Sequence, residues 1–241
     1  MNPVFQAIRD RRAVRRYSAK TVPDDLLLEL LELANRAPSG FNLQPWHFIV
    51  VRDPNIKKLL SHVAMDQPQV VEAPVTVVFV ANSRSWKEPY SRVLELGQQS
   101  GSLSERAHAM YKKRVPTIFR TSPLGIFGFG KKIVIPILRL FRPTPSAVTS
   151  HQEAIQYVRL QTMIAAATFM IAARGAGLDT SPMEGFDEDR LKRLLNIPSY
   201  MSVPIIIPVG YALETSTSPQ SVRLSLKEKL SFDLFTNIEQ K

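Results

Sequence analysis

Four short segments carry the residue types that could bind or act on a small ligand. The densest is Arg11-Arg12-Ala13-Val14-Arg15-Arg16-Tyr17. Arginine presents a planar fork of donors matched to phosphate oxygens. Several arginines where a helix gives way to extended chain can converge on one phosphate. Read alone, the cluster also fits a solvated basic helix end or a nucleic-acid patch. The second segment is Ala37-Pro38-Ser39-Gly40-Phe41-Asn42-Leu43-Gln44-Pro45-Trp46. Ser39 and Asn42 offer short hydrogen-bonding groups, and Gly40 permits close backbone approach. Trp46 reads as core. The third, Pro182-Met183-Glu184-Gly185, could turn backbone N–H groups toward a flat ligand at a strand end, or be an ordinary strand-to-helix turn. The fourth is Arg223, in a polar tail where an arginine is usually just solvated.

Several chemistries are absent. The chain has no cysteine, which excludes disulfides, thiolate nucleophiles and cysteine-ligated metals. Its four histidines, His47, His62, His108 and His151, never pair at ligand spacing. No nucleophile or general-base dyad stands out.

The elements that would position these segments read as follows. Asn2-Pro3 starts a short helix running to about Arg12. Pro23-Asp24-Asp25 starts a second, ended by Pro38. Trp46–Val51 and the β-branched run Val75–Ala81 predict strands, the latter buried on both faces. Ile56–Val63 predicts a helix. Ser150 caps a long helix from His151 to Arg174, alanine-rich and apolar on all sides in its second half, as for a central core helix. Gly175 and Gly177 stop it. A short strand, a helix opened by Asp187 and Glu188, and a buried strand over Val203–Pro208 follow. The tail turns amphipathic around Leu224 to Phe235. This order predicts an α+β fold with one central sheet. At 241 residues and 44% hydrophobic, the chain suits one domain with an inserted excursion.

The net charge of +10 is not diffuse. Residues 1–20 carry +5, residues 101–145 carry +8, and the remainder sums to −3. Two such patches on a mildly acidic body suggest phosphate-bearing ligands, anionic membranes or nucleic acid. No secretory signal or spanning segment is legible, which predicts a cytoplasmic protein.

Taken in order, the four segments resemble the FMN-dependent nitroreductase family. The matching residues are the Arg-Arg-x-x-Arg-x-Tyr opening, Ala-Pro-Ser-x-x-Asn-x-Gln-Pro-Trp, Glu184-Gly185 after Gly177-Leu178-Asp179, and Pro208-Val209-Gly210-Tyr211. The likeness covers residues 5–81 and 150–226. It implies a nitroreductase-like α+β fold, with a mostly antiparallel sheet flanked by helices, in an intertwined homodimer with FMN at the interface. It implies that Arg11, Arg12, Ala13 and Arg15, joined by Arg223, hold the phosphate and ribityl region. Pro38, Ser39 and Gly40 would reach the flavin from the partner subunit, with Asn42 holding their loop. Asp66 and Gln69 would lie near the pyrimidine edge or ribityl chain, and Pro182, Met183, Glu184 and Gly185 would line the ring. NADH or NADPH would reduce the flavin in a ping-pong cycle, and a nitroaromatic, quinone or activated alkene would reoxidise it. Alternatives are a dehalogenase or flavin-cleaving enzyme of the same family, or a non-enzymatic flavin- or membrane-surface-binding protein. Nucleic acid is disfavoured, because no aromatic strand platform accompanies the arginines. Three positions depart from the family: Ala13 where serine is common, and Gln69 and Ser221 where lysine occurs.

Residues 83–149 read as irregular, with prolines throughout and glycines at 125, 128 and 130. Over 101–149 the family likeness fades. This basic, apolar segment reads as a lid or dimer arm. Alternatively, residues 124–142 touch a membrane peripherally, with Lys131, Lys132, Arg139 and Arg142 on anionic lipid. Pro136 is expected to interrupt a long helix there.

Overall fold

The computed structural model describes residues 2–120, 126–144, 148–214 and 221–235. Leu124 and Gly125 of the basic segment lie outside them. Four strands form one antiparallel sheet: β1 (Trp46–Val51), β2 (Val75–Asn82), β3 (Asp179–Thr180) and β4 (Met201–Gly210), in the order β1-β2-β4-β3. The prediction of a mostly antiparallel α+β fold holds.

β2 is buried on both faces, as its β-branched run predicts. Val75, Val77 and Phe79 face one layer of helices, and Val78 and Val80 the other. The first layer holds α2 (Asp24–Asn35) and the long α8 (His151–Gly175). The second holds α3 (Pro54–Val63) and α9 (Glu188–Leu194). Phe79 meets Phe48 and Phe169 edge to face, with centroids 5.2 and 5.7 Å apart. Such pairs add about 0.5–1.5 kcal/mol each beyond the area they bury. Opposite Phe79–Ala81, β4 carries one extra residue, between Ser202 and Ile205. This bulge falls at Pro204, which has no N–H to give the ladder. It shifts the alternation, so Val203 faces the α3/α9 layer whereas Ile205 and Ile207 face α8.

Caps explain several boundaries. Asn2 accepts from Val4 N–H at 2.9 Å and starts α1 (Pro3–Asp10), which ends two residues before the expected Arg12. Ser150 accepts from Glu153 N–H at 3.1 Å at the head of α8. Asp187 accepts from Arg190 N–H at 2.9 Å at the head of α9.

The largest correction concerns residues 83–149. Among those described, most form three helices: α5 (Glu88–Gln99), α6 (Glu105–Phe119) and α7 (Ile126–Phe141). Pro116 and Pro136 lie inside α6 and α7. Each removes one N–H. α6 buries Val115 and Phe119 on either side of its proline, whereas α7 is largely exposed over its described residues. Tyr90, Leu94, Val115 and Phe119 form a separate core with Leu43, Val148 and Ala154. Burial pushes the pKa of the Tyr90 hydroxyl, which has no hydrogen-bond partner among the described residues, up to about 12. Lys131 does not face outward as the membrane reading requires. Its ammonium donates to the carbonyls of Ile118, Arg120 and Val148 at 2.8, 2.9 and 2.9 Å. It ties α7 to the end of α6 and the chain before α8. No described helix is long and apolar enough to cross a membrane. The amphipathic stretch of the tail is mostly irregular: over 221–235 it holds a single helical turn, Leu226–Glu228.

Candidate functional site

α1 stops because Arg11 adopts an extended conformation (φ −62°, ψ 125°). The following chain lies beside β3. Ala13 bridges Thr180 in a parallel pairing, and Val14 N–H donates to the Thr180 carbonyl at 3.1 Å. Val14 and Tyr17 are buried, and the Tyr17 hydroxyl donates to the Pro208 carbonyl at 3.1 Å. This apolar anchoring leaves Arg11, Arg12 and Arg15 at least partly accessible. Two nearby basic residues have partners. Arg16 Nε lies 3.0 Å from Glu72, and the Lys20 ammonium sits 4.0 Å over the Tyr211 ring. Among the described residues Arg11, Arg12 and Arg15 form no ion pair. Arg12 Nε is buried and has no hydrogen-bond partner among the described residues, and the same holds for Thr180 Oγ1 in the neighbouring strand. Buried donors of this kind cost free energy unless something pairs with them.

A second wall comes from the turn after α3 and from the segment after β3. Met183 exchanges both backbone hydrogen bonds with Ile206, at 2.9 and 3.0 Å, which fixes the chain against β4. The next two residues, Glu184 and Gly185, are exposed, and their N–H groups have no partner among the described residues. Gln69 is buried in α4 (Gln69–Glu72) and donates to Met183 Sδ at 3.5 Å and to Gln67 Oε1 at 2.9 Å. Gln67 Nε2 reaches the carbonyls of Gly185 and Ala64 at 3.3 and 3.2 Å. Asp66 is exposed at φ +53° and faces His62 at 3.4 Å. Glu72, at the end of α4, holds Arg16. The arginine segment, Gln69 and Met183–Gly185 are therefore neighbours.

The loop after Pro38 is elsewhere. Gly40 N–H donates to Gln161 Oε1 on α8 at 2.8 Å. Phe41, Asn42 and Gln44 have φ of +57°, +55° and +44°. Such φ values cost free energy in a phenylalanine or glutamine. They are held by Gln44 N–H on Ser39 Oγ at 3.0 Å and Gln44 Nε2 on Asn42 Oδ1 at 3.1 Å. A Cβ on Gly40 would overlap the Tyr157 hydroxyl, so any larger residue here forces the Tyr157 ring to shift. Trp46 is core, as expected, and donates from Nε1 to Asn35 at 2.9 Å.

Within one chain these groups do not meet. The loop is anchored at Gln161, whereas α1 reaches α8 at Gly175, near Ala7. Fourteen residues of α-helix separate the two anchor points by about 21 Å. Arg223 is not brought to the other arginines either: it is exposed and donates to the Val222 carbonyl at 2.8 Å. Sequence reading missed Gln67, Thr180 and Gln161. Gln67 and Gln69 flank a proline just before a buried strand, and Gln161 stacks one helical turn after Tyr157, which are the signals available for them.

The residues 8–211 match the model of the Nitroreductase family. A relative from Thermus thermophilus named NADH dehydrogenase is 31% identical over 85% of this chain and 84% of its own. A nitroreductase-like protein from Streptococcus mutans has the same fold, with TM-score 0.74 and 25% identity over 96% of this chain and 98% of that one. An Exiguobacterium sibiricum protein of nitroreductase designation, solved in complex with FMN, superposes with TM-score 0.73 at 18% identity, covering 95% and 97% of the two chains. With most of its length matched by that family's pattern and its sheet and helices in the same arrangement, this chain belongs to the Nitroreductase family.

Proposed function

We propose that the chain is an NAD(P)H-dependent FMN oxidoreductase that reduces nitroaromatic, quinone or activated-alkene acceptors by ping-pong hydride transfer. The observation that carries this reading is the buried, partnerless Arg12 Nε, set between Arg11 and Arg15, which also lack ion-pair partners among the described residues. A phosphate would satisfy these donors, and FMN carries one. The free N–H groups of Glu184 and Gly185 suit a flat ring with acceptors along one edge. FMN, when bound, supplies the hydride-accepting and hydride-donating centre.

The residues have distinct tasks in this reading. Arg11, Arg12 and Arg15 bind phosphate, and their charge favours an anionic reduced ring nearby. Ala13 contributes backbone only, since it lacks the hydroxyl of a serine. Pro182 and Met183 pack the ring against β4, while Glu184 and Gly185 orient it through N–H groups, with no proton transfer assigned to the Glu184 side chain. Asp66 and Gln69 meet the polar edge. Pro38, Ser39, Gly40 and Asn42 act on the site of a second copy, and Arg223 arrives from a tail.

The ~21 Å between anchor points supports this division between two subunits. The exposed apolar side chains Phe5 and Ile8 on α1, Leu28 on α2 and Leu160 on α8 are ones that a second copy would cover in this reading. Steady-state oxidation of NADH and NADPH with a quinone tests the activity. Parallel double-reciprocal lines are expected. FMN bound without turnover by any quinone, nitroarene or enone would overturn it.

A further inference from the structure

The flavin reading leaves the long basic segment unused. Between Glu105 and Glu153 the sequence holds nine basic residues and no acidic one. α7 runs through this segment with a fixed rotation about its axis. A Cβ on Gly128 would overlap the Thr149 carbonyl, and Lys131, one turn further on, donates to three backbone carbonyls. Ile135 and Leu138 are half-buried on the same line, so Gly128, Lys131, Ile135 and Leu138 form the inner face. The opposite face is apolar. Phe129, Ile133, Ile137 and Leu140 follow one another at helical spacing, and all are exposed. Val134 and Phe141 widen the stripe, and Leu140 and Phe141 are 81% and 82% exposed. Lys132 is exposed on one flank, and Arg142 is exposed just past the end of the helix. An ordinary surface helix turns its apolar stripe to the core and its charges to water. α7 does the reverse: the charge of Lys131 is held inward and the apolar stripe faces out.

We propose that the outer face of α7 docks on an anionic lipid surface. The helix lies in the plane of the membrane, and Phe129, Ile133, Ile137, Leu140 and Phe141 enter the boundary between headgroups and acyl chains. Lys132 and Arg142 meet lipid phosphates, within a segment whose charge is positive throughout. α7 is not long and apolar enough to cross a membrane, so it rests on one leaflet. Two other occupants match this face less well. A second copy seated face to face on α7 would set two strongly positive segments against each other. A nucleic acid would meet the charges and leave the apolar stripe in water. α7 contributes no residue to the flavin site, so the proposal stands or falls independently of that reading.

Co-sedimentation of the full chain with vesicles tests this. One set is phosphatidylcholine alone, and the other is phosphatidylcholine mixed with an equal amount of phosphatidylglycerol. The unaltered chain is expected to bind the anionic set about tenfold or more tightly than the neutral one. That preference should vanish at about 1 M salt, where charges are screened. Ile133→Gln combined with Leu140→Gln removes two exposed apolar side chains and should weaken binding to the anionic set about tenfold or more. Lys132→Gln combined with Arg142→Gln should weaken the same binding about tenfold and leave neutral vesicles unaffected. All four side chains are exposed, so the melting temperatures of both variants are expected to match that of the unaltered chain. No binding to anionic vesicles, equal binding to the two sets, or binding that survives Ile133→Gln with Leu140→Gln would each overturn the proposal. So would a smaller assembly of that variant in gel filtration, which would make this face a contact between copies.

Discussion

Arg16 and Glu72 are joined at 3.0 Å across 56 positions of sequence, and Glu72 also accepts from Tyr17 N–H at 3.3 Å. This pairing separates the arginines by task. Arg16 fastens the extended segment to the end of α4, while Arg11, Arg12 and Arg15 are left with donors to give. The pair is half exposed and contributes about 0–1 kcal/mol at most.

Ligand affinity should follow that separation. Arg12→Ala is expected to weaken FMN about tenfold or more, the size of a charge-assisted hydrogen bond, and riboflavin by far less. Arg16→Ala should change both by about threefold or less. Quenching of flavin fluorescence on titration measures all four constants. Equal losses of FMN and riboflavin in Arg12→Ala would contradict a phosphate-binding role.

Gly40 lies where the Tyr157 hydroxyl leaves no room for a Cβ. Gly40→Ala should cost about 1–3 kcal/mol in urea unfolding, as for other overpacked sites. Removing the hydroxyl with Tyr157→Phe should restore much of that loss, giving a favourable coupling in the double-mutant cycle. Simple additivity of the two substitutions would refute the contact.

Lys131 supplies three hydrogen bonds to backbone carbonyls. Lys131→Met should leave those acceptors partnerless and loosen α7, at a cost of about 1–3 kcal/mol. Limited proteolysis should then cut within residues 101–149 much faster than in the unaltered chain, while the sheet stays resistant. Unchanged cleavage would show that α7 is held by other means.

The carboxylate of Glu153 accepts from Thr149 N–H at 2.7 Å and from the Thr149 hydroxyl at 2.9 Å. The Thr149 N–H holds its pKa below the usual carboxylate range, opposed by partial burial and aided by the Thr149 hydroxyl, the charge of Lys132 and Ser150 N–H. A depressed carboxylate pKa stabilises the fold above the unfolded value of about 4.3 and ceases to do so as pH falls through the folded value. Protection factors for amide exchange at the first turn of α8, corrected for intrinsic rates, should therefore fall as pH drops below about 4.3, and Glu153→Gln should remove that dependence. A variant that keeps the full pH response would place its origin elsewhere.

The strands and the central helix were readable because their signals are local. β2 is an unbroken β-branched run, and Ser150 and Asp187 cap α8 and α9 through their own side chains. The arginine and Glu-Gly segments were visible as residue types. Their meeting was not, because it depends on the pairing of Ala13 with Thr180 and of Met183 with Ile206. α6 and α7 were hidden by Pro116 and Pro136; the burial of Val115 and Phe119 around Pro116 exists only in the folded chain, and α7 runs through Pro136 as a largely exposed helix. Lys131 illustrates the same limit: its charge was plain in the sequence, but its three backbone acceptors come from the end of α6 and from Val148.

The central claim is that Arg11, Arg12 and Arg15 and the free N–H groups at Glu184-Gly185 hold FMN. The flavin content of the purified full chain, read from its visible absorbance against protein concentration after incubation with excess FMN and gel filtration, tests this most directly. One FMN per chain, retained as a yellow protein, is the predicted result; a colourless chain that retains no added FMN would contradict it.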